Sequence, residues 1–296
     1  MKLDTVRVFV AATPAEWLPQ KVLEFSIKKM TRCKVDLRAL YTFEREYVLP
    51  KDIKNRPRTP FSFQRFLIPE ICDYSGRAIY MDADMQVFKD IESLWSIPLN
   101  GNSIQTVRPS PDGRKGQFSV MLMDCSALKW SVDEIVHQLD LGAISYEQLM
   151  YEMNVAPSIG RDISSDWNML ERFDGTTSLL HYTDMNIQPW VSTTNPLGSL
   201  WIQCLRRAIE AGFISLTELR REVASGHIRP SLLFQMEHGI DDVRELPRSA
   251  KALDNSFVAP YKQIKSAQAR PWASPIAMVE VRVRTLLKKI KWLSGR

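Results

Sequence analysis

The sequence predicts a three-layer α/β protein, in which helices cover both faces of a central sheet. Two observations indicate this class. Short apolar runs typical of buried strands alternate with segments of helical periodicity, and a pair of carboxylates directly follows one of those runs. The chain has 296 residues, of which 45% are hydrophobic and 25% are charged, so it can bury a large core in one or two α/β units.

The first third of the chain alternates strand and helix. The apolar run Val6–Ala12 predicts a buried strand that ends at the Thr13-Pro14 break. Pro19–Met30 has apolar residues at helical spacing, and its proline is tolerated in a first helical turn. A second strand is expected at Val35–Tyr41, followed by a short helix at Ser62–Cys72.

The remaining elements continue this alternation. Arg77–Met81 is predicted to be a buried strand that ends in Asp82-Ala83-Asp84. The later elements are predicted as a strand at Gln117–Met123, a helix at Ser131–Leu139, a strand end at Ser178–His181 and a helix at Gly198–Gly212. Apolar periodicity fades between Lys251 and Pro275. We therefore expect a main domain of residues 1–255, a linker of residues 256–275 and a terminal helix of residues 276–296.

Charge is distributed unevenly between the main domain and the terminal segment. Residues 276–296 hold six basic residues and one acid, which equals the whole formal net charge of +5. Residues 1–275 are therefore neutral overall, which disfavours a protein that coats nucleic acid. The tail's apolar residues recur at alternating spacings of three and four: Ile276, Val279, Val283, Leu286, Ile290 and Leu293. This pattern predicts an amphipathic helix on an anionic membrane surface, with packing against the main domain as the alternative.

The cysteines and the lengths of the apolar segments indicate the cellular compartment to expect. The four cysteines are far apart and form no C-x-x-C pair, so neither a zinc site nor a disulfide framework is indicated. The first residues do not resemble a signal peptide, and no apolar run reaches the length of a transmembrane helix. The expectation is a cytoplasmic protein that associates peripherally with a membrane.

Asp82 and Asp84 form the most informative local pattern. They lie two residues apart just beyond a predicted strand, at the sheet edge where ligands bind in open α/β folds. Adjacent carboxylates repel each other, and a divalent cation relieves this by taking oxygen ligands from both. Such a cation can also hold the diphosphate of a nucleotide. Because about one Asp-x-Asp is expected by chance in this composition, a solvated turn is the alternative.

The context of this pattern resembles the retaining glycosyltransferases of family 8. Arg65 precedes Asp82 at the family spacing, and Tyr80–Phe88 is similar to the family's strand and metal motif. Leu180-His181-Tyr182 and Pro189-Trp190 resemble its second metal motif. The resemblance implies a GT-A fold, which is a Rossmann-like three-layer α/β/α arrangement with a mixed central sheet. It also implies that Asp82, Asp84 and His181 bind Mn²⁺ or Mg²⁺, and this mixed ligand set suits Mn²⁺ better than Ca²⁺.

The same resemblance implies further site residues. Those expected to bind the nucleotide sugar or its metal are Ala11, Ala12, Thr13, Arg65, Asp82, Ala83, Asp84 and Gln188. Those expected on the acceptor side are Ser119, Trp167, Asn168, Asp184 and Trp190. Glu147 and Gln148 would be the catalytic polar groups near the anomeric carbon, with an exposed helical turn as the alternative. Trp17 would either stack on uracil or belong to the core.

The chain also departs from the family pattern. Thr13 replaces an acid, Ser119 replaces an asparagine and Asp184 replaces a glycine. Gln188 stands where the family has a lysine that binds phosphate, and it offers a hydrogen bond but no charge. Either Arg65 and the metal suffice for the diphosphate, or another cation enters the site. The candidates are Arg56, Arg58 and Arg161.

The resemblance implies transfer of a hexose from a UDP-sugar to a saccharide or lipid-linked acceptor, as in surface polysaccharide or lipopolysaccharide synthesis. A membrane-associated protein that binds nucleotide sugars without turnover is one rival, since the lysine is missing. A haloacid-dehalogenase-type phosphatase is another, with Asp82 as nucleophile and Asp241-Asp242 as metal ligands. Gln86 disfavours it, because that motif has threonine or valine there.

Overall fold

The computed structural model describes residues 5–43, 45–59, 61–108 and 118–262. The strands are β1 (Val6–Ala11), β2 (Val35–Ala39), β3 (Arg77–Asp82), β4 (Met85–Val87), β5 (Ile104–Val107), β6 (Val120–Asp124), β7 (Ile159–Ile163), β8 (Met169–Leu170) and β9 (Leu179–His181). The helices are α1 (Trp17–Met30), α2 (Ile68–Ile71), α3 (Glu92–Trp95), α4 (Val132–Asp140), α5 (Tyr146–Met150), α6 (Gly198–Glu210), α7 (Leu216–Ala224), α8 (Pro230–His238) and α9 (Arg248–Ala252).

Six strands form the central sheet in the order β2-β1-β3-β6-β5-β7. β1 pairs in parallel with β2 and β3, and β5 pairs in parallel with β7. β6 runs antiparallel to both of its neighbours, β3 and β5. The predicted mixed central sheet is therefore confirmed.

Helices pack on both faces of this sheet, which confirms the three-layer arrangement. On β1, Val8 and Val10 point to a core shared with Leu23 of α1. Phe9 points to the opposite core, where Ile135 of α4 packs. Because both faces are covered, the strand is apolar at nearly every position, as its sequence indicated. A third apolar cluster joins α1 to α6, α7 and α8.

A second sheet of three strands, in the order β4-β9-β8, lies directly after the Asp82–Asp84 turn. β4 pairs antiparallel with β9, and Met85 faces His181 in this register. The pairing brings a residue from late in the chain beside the turn that ends β3. It is the feature of the fold that assembles the site.

Side-chain caps fix the starts of several helices. Ser131 Oγ accepts from Glu134 N at the start of α4. At the start of α7, Ser215 and Glu218 form a reciprocal capping box. Gly239 directly follows α8 and caps it. Its φ of +70° is the left-handed conformation that glycine adopts without strain.

Some elements differ from those predicted. The segment Ser62–Cys72 divides into a 3-10 turn and the short α2. The predicted strand Gln117–Met123 begins only at Val120 within the described residues. β5 and β7 were not predicted, because their residues do not form an apolar run. Gln105 of β5 is fully buried and accepts a hydrogen bond from Asp162 N at 3.0 Å.

The predicted terminal helix, residues 276–296, lies outside the described residues, as does most of the predicted linker. Both stay predictions. Within the described part of the chain, no helix combines the length and apolarity needed to cross a membrane.

Candidate active site

A tight turn between β3 and β4 holds Asp82, Ala83 and Asp84. Ala83 N donates to Ala11 O at 3.2 Å, which fastens the turn to the end of β1. Asp84 O accepts from Tyr182 N at 2.9 Å, which fastens it to the residue after β9. Both carboxylates therefore project from a turn that is fixed by backbone contacts on two sides.

Arg65 and Tyr80 hold the carboxylate of Asp82. The Tyr80 hydroxyl donates to Asp82 Oδ1 at 2.7 Å, and Arg65 Nη2 lies 4.0 Å from the same oxygen. The Arg65 guanidinium stacks 4.6 Å from the Tyr80 ring centroid and donates to Phe118 O at 3.2 Å. Burial raises the pKa of Asp82, although the nearby Arg65 opposes that rise. Arg65 thus lies beneath the acidic turn, as the spacing of the motif indicated.

His181 faces Asp84 across the second sheet. Its Nε2 lies 3.0 Å from Asp84 Oδ1, and its Nδ1 lies 2.9 Å from Asn168 Oδ1. An amide oxygen can only accept, so Nδ1 is the donor in that contact. Burial lowers the pKa of His181, but the carboxylates of Asp84 and Asp82 raise it by more. Asn168 therefore fixes the ring so that Nε2 is directed at the acidic turn.

These residues fit a divalent cation. Ligand atoms of Asp82, Asp84 and His181 all lie within 4.8 Å of one another. Asp84 Oδ1 is buried and lies 3.0 Å from His181 Nε2, and no other group of the described residues donates a hydrogen bond to it. A buried carboxylate oxygen beside an imidazole nitrogen and a second carboxylate matches the ligand preferences of Mn²⁺ and Mg²⁺. The ligand set predicted from the motif is brought together by the fold.

Gln188, at the lysine position of the family pattern, binds protein atoms. Its Nε2 donates to Asp84 Oδ2 at 3.0 Å and to Tyr182 O at 2.9 Å. Both amide hydrogens are used, and the side chain is buried. Gln188 therefore orients the second oxygen of Asp84, and it brings no positive charge to the site.

The loop after β1 contributes a carboxyl group that the sequence analysis missed. Ala11 and Ala12 are fully buried. Thr13 precedes a 3-10 turn, and its N and Oγ1 donate to Glu16 Oε2 at 2.8 and 3.1 Å. Burial and the charge of Asp84 raise the pKa of Glu16 to about 8. The Thr-x-x-Glu capping box is the sequence signal that could have identified it.

A cleft of about 100 Å³ opens beside these residues. Its walls come from the loop after β1, the segment around Arg58, the residues that follow β9, and two later segments. The lining side chains most relevant to the site are Thr13, Glu16, Arg58, Gln188, Trp190 and His227. The cleft thus extends from the predicted nucleotide loop to Gln188, whose side chain contacts Asp84 of the acidic turn.

Glu147 and Gln148, the predicted catalytic pair, lie on an exposed turn at the start of α5. Gln148 Oε1 accepts from Ser145 N at 2.8 Å, which closes a capping box. Glu147 is 55% exposed and lies 3.4 Å from Arg58 Nη2. Among the contacts of the described residues, only that between Glu147 and Arg58 connects this pair to the cleft. Its catalytic assignment stays a prediction.

The five predicted acceptor-side residues occupy different environments. Trp167 is buried in the core beneath the sheet, and Asn168 contacts His181 instead of an open surface. Trp190 is buried against Trp201 but also lines the cleft. Ser119 is buried just before β6, and Asp184 is exposed and accepts from Asn186 N at 2.9 Å.

The other candidate cations differ in their access to the cleft. Arg56 donates to Pro50 O, and Arg161 is exposed on β7. Arg58 lines the cleft, donates to Tyr151 Oη at 2.7 Å and stacks on Tyr146. Arg58 is therefore the one of these three whose side chain borders the cleft.

Trp17 and the Asp241-Asp242 pair have partners outside the acidic turn. Trp17 begins α1 and carries Arg221 over its ring at 5.1 Å. Asp241 and Asp242 form ion pairs with Arg206 and Arg244. The phosphatase reading required these two acids as metal ligands beside Asp82, and this pairing gives it no support.

Comparisons with known proteins were made on sequence and on structure. Residues 21–141 match the family model of Glycosyl transferase family 8. A segment of the chain is 33% identical over 93 residues to Protein CDI of Arabidopsis thaliana, covering 30% of this chain and 35% of that protein. The chain thus matches about a third of the length of this curated relative.

Two solved structures match parts of this chain. The glycosyltransferase GlyE of Streptococcus pneumoniae TIGR4 has a TM-score of 0.50 at 17% identity, covering 71% of this chain and 64% of that one. The galactosyltransferase LgtC, solved with donor and acceptor sugar analogues, has a TM-score of 0.48 at 12% identity, covering 68% of this chain and 95% of that one.

The mixed central sheet thus has the GT-A fold of known glycosyltransferases. The family match over residues 21–141 then confirms the resemblance to glycosyltransferase family 8 that the sequence predicted.

Proposed function

We propose that this chain is a retaining, metal-dependent glycosyltransferase that moves a hexose from a UDP-sugar to a saccharide or lipid-linked acceptor. The observation that carries the proposal is the cluster of Asp82, Asp84 and His181, which a hydrogen bond from Gln188 connects to the wall of the cleft. The family 8 match supports the reaction class.

The residues of the site divide into ligands and residues that orient them. Asp82, Asp84 and His181 would hold Mn²⁺ or Mg²⁺. A bound cation of this kind offsets the negative charge that grows on a leaving diphosphate. The surrounding side chains act on the ligands: Tyr80 and Arg65 on Asp82, Gln188 on Asp84, and Asn168 on His181. Such supporting contacts fix ligand geometry before binding.

The transfer needs no strong nucleophile from the protein. The bond between the anomeric carbon and the β-phosphate oxygen breaks, and a bond from the acceptor hydroxyl oxygen forms on the same face of the sugar. The hydroxyl proton passes to the departing phosphate oxygen. Glu147 would have to leave its exposed contact with Arg58 to act as a nucleophile, which favours this direct route over double displacement.

The acceptor class and the location of the enzyme are proposed from the sequence of the tail alone. An amphipathic, basic helix over 276–296 would bring the cleft to an anionic membrane surface on the cytoplasmic side. A lipid-linked or surface-polysaccharide precursor is the acceptor class that fits this placement.

A panel of nucleotide sugars, assayed for hydrolysis without acceptor in Mn²⁺, in Mg²⁺ and in EDTA, tests the function. We expect Mn²⁺-dependent release of UDP from one UDP-hexose, lost in Asp84→Asn and retained in Asp242→Asn. The second variant is a matched control, because it removes an acid that only the phosphatase reading needs. Turnover in EDTA would contradict the metal requirement. Binding of UDP-sugar without any turnover, with or without acceptors, would favour the inactive nucleotide-sugar-binding protein.

A further inference from the structure

We infer that His227 binds the diphosphate of the donor and supplies the positive charge that Gln188 does not. This inference rests on the proposed function, since it requires a nucleoside diphosphate in the cleft. Neither the motifs nor the family resemblance drew attention to this histidine, which lies about forty residues beyond the second metal motif.

A buried carboxylate fixes the ring of His227. Its Nδ1 lies 2.7 Å from Oε2 of Glu222, whose side chain on α7 is only 5% exposed. A carboxylate accepts, so Nδ1 carries a proton and the opposite edge of the ring presents Nε2. No side chain or backbone group of the described residues bonds to Nε2, while His227 itself lines the cleft.

The backbone places His227 on the same wall as Gln188. Arg229 N donates to Trp190 O at 2.9 Å, and Arg229 Nε donates to Pro189 O at 2.9 Å. The segment that carries His227 is therefore fastened to the residues directly after Gln188, whose amide reaches Asp84. Arg229 is buried, so this arrangement belongs to the core and is preformed.

Charge balance in the cleft points to the diphosphate as the partner of Nε2. Gln188, which lines the cleft, is neutral, and Asp84, which it contacts, is acidic. Arg58 also borders the cleft, but its side chain is 59% exposed and is already in contact with Glu147 and Tyr151. A ring whose Nδ1 is held by a carboxylate directs Nε2 at a bound phosphate oxygen, and charge-assisted hydrogen bonds between imidazolium and phosphate are strong. Glu222 is then a positioning residue.

Calorimetric titration of UDP and of uridine, in the presence of Mn²⁺, separates diphosphate binding from nucleoside binding. We expect His227→Ala to weaken UDP binding by about tenfold or more and to leave uridine binding unchanged. His227→Lys should retain most of the UDP affinity, and His227→Gln should not. His238→Ala is the matched control, because that exposed ring stacks on Phe234 at the end of α8.

Variants of Glu222 test the positioning role. Glu222→Gln keeps an acceptor for Nδ1 and should retain much of the UDP affinity, whereas Glu222→Ala should lose it to the same extent as His227→Ala. The melting temperature of each variant separates loss of binding from loss of fold. Equal losses in the two Glu222 variants would overturn that role.

Three outcomes would overturn the inference. Unchanged UDP affinity in His227→Ala would exclude His227 from the donor site while leaving the proposed function intact. A parallel loss of uridine affinity would place the contact on the nucleoside. Failure of the unmodified protein to bind UDP with Mn²⁺ would contradict the proposed function, and the inference with it.

Discussion

At the scale of single residues, the site is organised around the two carboxylate oxygens of Asp84. Oδ2 accepts from Gln188, and Oδ1 is buried 3.0 Å from His181 Nε2. Each of these contacts fixes one oxygen of Asp84 close to the other members of the acidic cluster. The arrangement therefore fits the ligand set of a divalent cation.

Asn168 gives a direct test of how His181 is oriented. Asn168→Ala removes the acceptor of Nδ1 and should weaken Mn²⁺ affinity by about 10- to 100-fold. Asn168→Asp keeps an acceptor at the same place and should bind Mn²⁺ at least as well as the unmodified protein. Electron paramagnetic resonance of free Mn²⁺ measures both. Equal affinities in Asn168→Ala and the unmodified protein would exclude this role.

The raised pKa of Glu16, in the loop after β1, can be tested through the pH dependence of stability. Its pKa in the folded protein is about 8, against 4.5 for an unperturbed glutamate. Between these values the unfolded chain ionises Glu16 while the folded protein keeps it protonated, so this group lowers stability progressively as pH rises toward 8. Glu16→Gln retains an acceptor for Thr13 and should raise the Tm at pH 8.5 but not at pH 4.5, measured in EDTA. A Tm difference that is independent of pH would contradict the pKa assignment.

At the scale of elements, the contact of β5 with β7 illustrates how tightly the sheet edge is packed. A Cβ on Gly160 would lie 2.2 Å from Gln105 Oε1, and Gln105 is fully buried. Gly160→Ala should therefore lower the free energy of unfolding by about 1–3 kcal/mol, measured by chemical denaturation. Gly175→Ala is the control, since nothing lies within 4 Å of its added Cβ. Equal stability of the two variants would show that Gln105 moves away at little cost.

The same strands show which elements can be predicted from sequence. β1 and β3 are buried on both faces, so each is an apolar run that is visible without a structure. β5 and β7 include buried or interacting polar residues such as Gln105 and Asp162, which satisfy each other only after the chain has folded. The hydrophobic periodicity of the sequence therefore does not indicate β5 and β7.

In the site, too, some features could be predicted from the sequence and others required the structure. Asp82, Asp84 and His181 belong to short motifs, and the fold brings them together as predicted. The contacts of Asn168 and Gln188 with these ligands, and the approach of His227 to the cleft, depend on pairings across long sequence separations. No local pattern encodes such contacts. Glu16 was recognisable, because its capping box is a local motif.

At the scale of the whole molecule, charge separates the main domain from the tail. Residues 1–275 are neutral overall, and residues 276–296 carry the net charge of +5. A domain that binds an anionic nucleotide through a cation and a few placed side chains needs no general excess of positive charge. The excess in the tail instead favours attraction to anionic lipid.

Truncation after Pro275 tests this division. The truncated protein should lose co-sedimentation with vesicles that contain anionic lipid at low salt, and it should retain UDP-sugar hydrolysis in solution. Vesicles of neutral lipid are the control for both proteins. Undiminished binding of the truncated protein to anionic vesicles would contradict a membrane role for the tail.

Mn²⁺ binding to Asp84 variants tests the central claim most directly. Asp84→Asn preserves an oxygen for Gln188 but removes the charge and the carboxylate oxygen that faces His181. Titration of Mn²⁺ into metal-free protein should give one saturable site in the unmodified chain and in Asp242→Asn, and no such site in Asp84→Asn. Equal Mn²⁺ binding by Asp84→Asn and the unmodified protein would contradict the account.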